Sequence, residues 1–178
     1  MAFPQIRSPQ PANDHGDRSI VSWLMQVRLF QEISSEPGAI DHLAGLLSQL
    51  DFSAGTTLLA EGAEGAEAYF LLSGKVKVLK SMAGKEAFPV ALLDAGNHPF
   101  FGEAALLQND VRSATIRCES DCRCLVLKRA DFDSFCQAHP QWALPIIRKI
   151  GCVILERLHL ANNDIVLLYN ALVNEVKG

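Results

Sequence analysis

No stretch of the 178 residues approaches the eighteen or so consecutive apolar residues that a membrane span needs. No lysine- or arginine-rich run occurs either, and the formal net charge is −4 with a pI near 5.7. A sequence-independent grip on nucleic acid needs a basic footprint, and the overall balance does not supply one. Residues 1–17 lack the apolar core of a signal peptide. Pro4, Pro9 and Pro11 stand there among small and polar residues, a composition expected to form a flexible tail. The five cysteines are an odd number in a chain with no export signal, which points to free thiols in a reducing cytoplasm. Cys118, Cys122 and Cys124 do not have a standard zinc spacing. They read as small buried residues of a hairpin. The five histidines are scattered, and no activated Ser, Cys or Lys constellation is visible. No catalytic residue and no metal ligand is therefore assigned.

What is present is a globular composition, 49% hydrophobic and 20% charged. From 19 to 33, Ile20, Trp23, Leu24, Val27 and Phe30 recur at helical spacing behind Ser19 as N-cap. A second helix is expected over 39–50, with Ile40, Leu43, Leu46, Leu47 and Leu50 on one side. From Phe52 the period shortens. Apolar or alternating runs at 56–60, 68–73, 75–80, 90–93, 113–118 and 122–128 are separated by glycine turns. Many short strands at close spacing predict an antiparallel sandwich or barrel.

Beyond Ala130 the pattern is helical again, first over 130–138. Pro145 suits the first turn of a further helix. From Ile147, the residues Ile150, Ile154, Leu158, Ala161, Ile165, Leu168 and Leu172 continue at steps of three and four. That is a seam of about 26 residues, roughly 39 Å long. It either packs on its own chain or forms a two-helix dimer seam over 145–176, and the dimer is the expectation because the stripe outlasts one small barrel. Arg157 and His159 read as part of a solvated face.

The segment that carries chemistry runs from Phe101 to Thr115. Gly102 lets the chain turn and approach a ligand closely. Glu103 to Leu107 are good helix formers, whose first N–H groups are free to face an anion. Arg112 follows a polar turn and precedes a strand, so its fork can point at the same anion. The same residues also suit a surface turn with an ordinary exposed arginine.

Phe101-Gly102-Glu103, Ala105-Leu106 and Arg112-Ser113-Ala114-Thr115 stand in register with a known pattern. They resemble the phosphate-binding cassette of the cyclic-nucleotide-binding domain family. Leu71-Leu72-Ser73-Gly74-Lys75-Val76 is similar to that family's central hairpin, and Phe52 to Thr56 with Glu61-Gly62 to its opening strands. The resemblance covers about 29–160 and implies a mostly β fold with flanking helices, an eight-stranded antiparallel β-roll or jelly roll. It divides the chain into a tail (1–17), the domain proper (18–138) and a long helical segment (139–178).

The resemblance further implies that Arg112 pairs with the cyclic phosphate and Glu103 accepts from the ribose 2′-hydroxyl. The backbone near Gly102, Ala104 and Ala105, behind Phe101, would complete the cradle. Ser113 does not decide between cAMP and cGMP, and Asn162 and Asn163 on the long helix are candidates for the purine. The expected protein is a cytoplasmic, non-enzymatic, homodimeric receptor without catalytic cofactor, signalling through its C-terminal helices to a separate protein. The chain ends at Gly178 with no room for a winged helix, so a stand-alone sensor without direct DNA binding is expected. The rival readings are a ligand-free scaffold, a metal-dependent jelly-roll enzyme and a DNA regulator.

Overall fold

The computed structural model describes residues 14–82, 85–108 and 110–177. Most of the expected tail, residues 1–13, lies outside them. Helix α1 spans Asp14–Leu24, so it starts before Ser19 and stops well short of residue 33. Residues two apart on a helix stand about 200° apart, so a regular helix would not turn both Val27 and Leu29 inward. Instead the backbone tightens, with Gln26 and Val27 donating to the carbonyls of Trp23 and Leu24. Val27, Leu29, Phe30 and Ile33 are all buried as a result.

Helix α2, Ala39–Leu46, enters through Gly38 at φ 78° and also ends early. Leu50 is not on it. Leu47 is extended, and Ser48–Phe52 forms strand β1, whose Leu50 and Phe52 are half-buried between exposed neighbours. A spacing of three or four cannot separate the end of a helix from the start of such an alternation.

Ten strands are present among the described residues, all paired antiparallel. One four-stranded sheet has the order β1-β10-β4-β7. In it β10 is Cys122–Lys128, β4 is Glu67–Ser73 and β7 is Phe100–Phe101. The other has the order β2-β9-β5-β6, with β2 Thr57–Leu59, β9 Thr115–Cys118, β5 Lys75–Met82 and β6 Lys85–Asp94. These eight strands are the expected roll. A two-residue ribbon, β3 Glu64–Gly65 with β8 Asp110–Val111, is added to it.

Strand alternation divides the core in two. Phe70 and Phe100 face outward into a cluster with Phe30, Leu43, Phe132 and Ile150 from the helices. Leu71 and Phe101 face into the roll with Val76, Ile116, Cys118 and Cys124. The roll's interior is thus fixed on one side by the helices that carry the C-terminus.

Helix α3, Arg129–Ala138, matches expectation. Helix α4 runs unbroken from Pro140 to Lys177 and holds Pro145 inside it. The proline at the first helical position is Pro140, since Trp142 and Ala143 already donate to the His139 carbonyl. Pro145 removes one later N–H, the one that would have reached Gln141. Ala143, Ile146, Ile150 and Val153 bury against the body. Past Arg157 the helix projects, with Leu158 52%, Ile165 62% and Leu168 70% exposed. The seam is therefore divided between the body and a bare remainder. No helix among the described residues is long and apolar enough to cross a membrane.

Candidate functional site

The β3–β8 ribbon sets the position of Arg112. The Arg112 N–H donates to Ala63 at 2.8 Å, and its carbonyl accepts from the Gly62 N–H at 2.9 Å. The side chain then turns inward and is only 6% exposed. Nη1 donates to the Gly102 carbonyl at 3.2 Å, and Nη2 donates to the Glu67 carbonyl at 2.9 Å. Nη2 also reaches the Glu67 carboxylate at 3.3 Å.

Two glycines make room for this guanidinium. A Cβ on Gly65 would overlap it, and one on Gly102 would lie 2.8 Å from Nη1 and 3.0 Å from the Glu67 carbonyl. Gly102 also has φ 75°, a conformation that side chains resist. It follows β7 directly, so the cassette leaves the sheet at the point where Arg112 arrives.

Glu103 opens the expected short helix, a single 3₁₀ turn to Leu106. The Ala105 N–H is occupied by the Gly102 carbonyl at 3.2 Å, and Ala105 is buried behind the surface. Glu103 is 3% exposed. Its Oε1 accepts from Arg157 Nη1 at 2.6 Å, whereas Oε2 is buried with no hydrogen-bond partner. A buried carboxylate oxygen left bare is costly.

These groups face one cavity of about 320 Å³. Phe101, Gly102, Glu103, Ala104, Arg112 and Ser113 line one part of it, and Leu59, Val78, Leu93 and Ile116 give it apolar walls. The size lies within the range of small-ligand sites. Lys80 holds the Ser113 carbonyl and pairs with Glu61 at 2.8 Å, and the Glu61 N–H donates to Thr115 Oγ1 at 3.0 Å. The strand end carrying Ser113 is fixed in this way. The arrangement offers a buried cation, a carboxylate lining the same cavity and an apolar slot.

Three contributors were missed in the sequence. Arg157 is 54% exposed, as on a solvated face, yet it also lines the cavity and bonds the buried Glu103. Gly65 and Glu67 shape the seat of Arg112, and only the glycine turn hinted at either. Asn162 and Asn163 are exposed on α4 and do not line the cavity in this chain. Five or six further residues carry the helix about 8 Å past Arg157. The Cys118 thiol is pushed up to about 12, first by burial and then by Cys122, and burial raises Cys124 too. Both are inert thiols in the wall of the roll. Among the described residues no group of three or more His, Cys, Asp or Glu could hold a metal ion.

Residues 49–139 match the family Cyclic nucleotide-binding domain. The chain is 34% identical over 117 residues to glutaminase 2 of Bradyrhizobium diazoefficiens, covering 66% of this chain and 18% of that protein. It is 39% identical over 83 residues to human cGMP-dependent protein kinase 2, covering 46% of this chain and 11% of the kinase. The chain thus spans less than a fifth of the length of these curated relatives. A cyclic nucleotide-binding domain of Methylobacillus flagellatus superposes with a TM-score of 0.72 at 19% identity, covering 89% of this chain and 87% of that one. That likeness is one of fold.

Proposed function

The chain belongs to the cyclic nucleotide-binding domain family, and from that premise we propose that it is a non-enzymatic receptor for cAMP or cGMP. The observation that carries this is that buried Glu103, whose Oε2 has no hydrogen-bond partner, and buried Arg112 line the same cavity. A cyclic phosphate against Arg112 gains a charge-assisted pair. The ribose 2′-hydroxyl then donates to Oε2, and the purine lies between Leu59, Val78 and Leu93.

Calorimetric titration of the full chain with cAMP, cGMP and a cyclic dinucleotide tests this. One mononucleotide is expected to bind at micromolar or tighter Kd, and its 2′-deoxy analogue about tenfold or more weaker, since Oε2 of Glu103 then stays without a donor. No binding to nucleotide-free, folded protein would leave the ligand-free scaffold as the better reading.

The receptor acts, in this proposal, through α4. Arg157 ties that helix to Glu103, and its neighbour Glu156 pairs with Arg28 of the N-terminal segment. A ligand that engages Glu103 changes the balance at this clamp and so biases the position of α4, by as much as it prefers one arrangement. A separate protein would read the result. The site is proposed to work in the cytoplasm, where five free cysteines stay reduced.

The exposed half of α4 supports a homodimer. Leu155, Leu158, Asn162, Ile165, Tyr169 and Leu172 follow one another at steps of three and four, and the apolar ones among them are all more than half exposed. Such a stripe pairs with its own copy. Ile165→Asp is expected to convert a dimer to a folded monomer in sedimentation; a wild-type monomer would refute the pairing. A role for Asn162 or Asn163 toward the purine would require the helix of that second copy.

A further inference from the structure

We infer that Arg157 makes this cavity prefer guanine over adenine. The inference rests on the cyclic-nucleotide reading above and names the ligand within it. Arg157 is the residue of α4 that lines the cavity. Only Nη1 is engaged, by Glu103 Oε1 at 2.6 Å, and among the described residues the other guanidinium N–H groups have no partner. The side chain is 54% exposed while Glu103 is 3% exposed. The buried carboxylate is therefore the fixed anchor of the pair, and the exposed guanidinium keeps unpaired donors on a residue that lines the cavity.

Glu103 can serve both partners at once. Oε1 keeps Arg157, and the bare Oε2 takes the sugar hydroxyl. The ligand need not displace Arg157, so an oriented guanidinium stays beside the base. Arginine carries donors only. Guanine presents two adjacent acceptors, O6 and N7, on one edge, which the fork meets with two parallel bonds. Adenine presents N7 next to an amino donor, so one arm of the fork would face N–H against N–H.

The apolar side chains of the lining give adenine no compensation. Leu59, Val78, Ala91, Leu93 and Ile116 have no polar atom to accept from its amino group. The Ser113 hydroxyl can donate or accept and serves either base. A bidentate contact of this kind discriminates roughly 5- to 150-fold.

The test is titration of the full chain with cGMP, cAMP, cyclic IMP and 7-deaza-cGMP. Cyclic GMP is expected to bind at least about fivefold tighter than cAMP. Cyclic IMP, which keeps O6 and N7, should stay close to cGMP, and the 7-deaza analogue should lose most of the advantage. Arg157→Lys keeps a cation beside Glu103 but has no fork, so it should bring the cGMP-to-cAMP ratio near one. Arg157→Met should do the same, at lower affinity for both. Equal or tighter binding of cAMP overturns the inference alone, as does an unchanged ratio in both variants. Binding of none of the four nucleotides by folded protein overturns the receptor reading and this inference with it.

Discussion

Arg112→Ala is expected to weaken cyclic-nucleotide binding by about 30-fold to several thousand-fold while the chain remains folded. The wild-type guanidinium sits 6% exposed in the cavity, held by the Gly102 and Glu67 carbonyls and the Glu67 carboxylate. A phosphate bound there has exchanged water for this one fixed fork. Removing the fork leaves a desolvated anion, at a cost of about 2–5 kcal/mol by analogy with broken buried charge pairs, which converts to that range of affinity. The fold has less to lose, because the arginine belongs to the site and not to either apolar cluster. The Glu67 side chain, already 39% exposed, can turn to water. Calorimetry with circular dichroism on the same samples separates the two effects. An affinity within threefold of wild type would mean that the phosphate lies elsewhere. Arg112→Lys should fall between, since it keeps the charge and loses the two-pronged geometry.

The sequence made the cassette legible because its parts are contiguous. Glu103 and Arg112 are nine residues apart and come together through one turn and one ribbon, so a linear pattern could hold both. The roll was legible for a related reason: strands such as Lys75–Met82 carry an alternation that one buried face imposes. What escaped was assembled over distance or decided by neighbours. Arg157 lies 54 positions from Glu103, and an arginine on a helix is solvated unless something specific waits for it. Leu50 satisfies a helical step and a strand alternation equally, and the hydrogen bonds to Cys122–Lys128 decide between them. Pro145 is compatible with a first turn, yet His139 and Pro140 already start the helix. The spacing along α4 could not say where the body ends, because Ile150 and Ile165 stand in the same apolar series and only the fold buries the first and leaves the second exposed.

Gly65→Ala should reproduce most of the Arg112→Ala loss although it removes no functional group. The added methyl would occupy the space now filled by Nε, Cζ and Nη2 of Arg112. These atoms form the end of a long side chain, so the chain relieves the overlap by swinging the guanidinium away, at little cost to folding. Gly65 has no positive φ, hence alanine brings no backbone strain, and it narrows the unfolded ensemble slightly. Stability should therefore change by less than about 1 kcal/mol, while affinity falls about 30-fold or more because the phosphate meets no fork. Gly102→Ala differs in kind. It adds strain at φ 75° and a 3.0 Å approach to the Glu67 carbonyl, which cannot swing aside, so it should lower stability and affinity together. Unfolding by urea beside calorimetry distinguishes the two glycines. If Gly65→Ala bound normally, Arg112 would have a second productive position, and the bare carboxylate oxygen of Glu103 would then carry more of the recognition than the cation does.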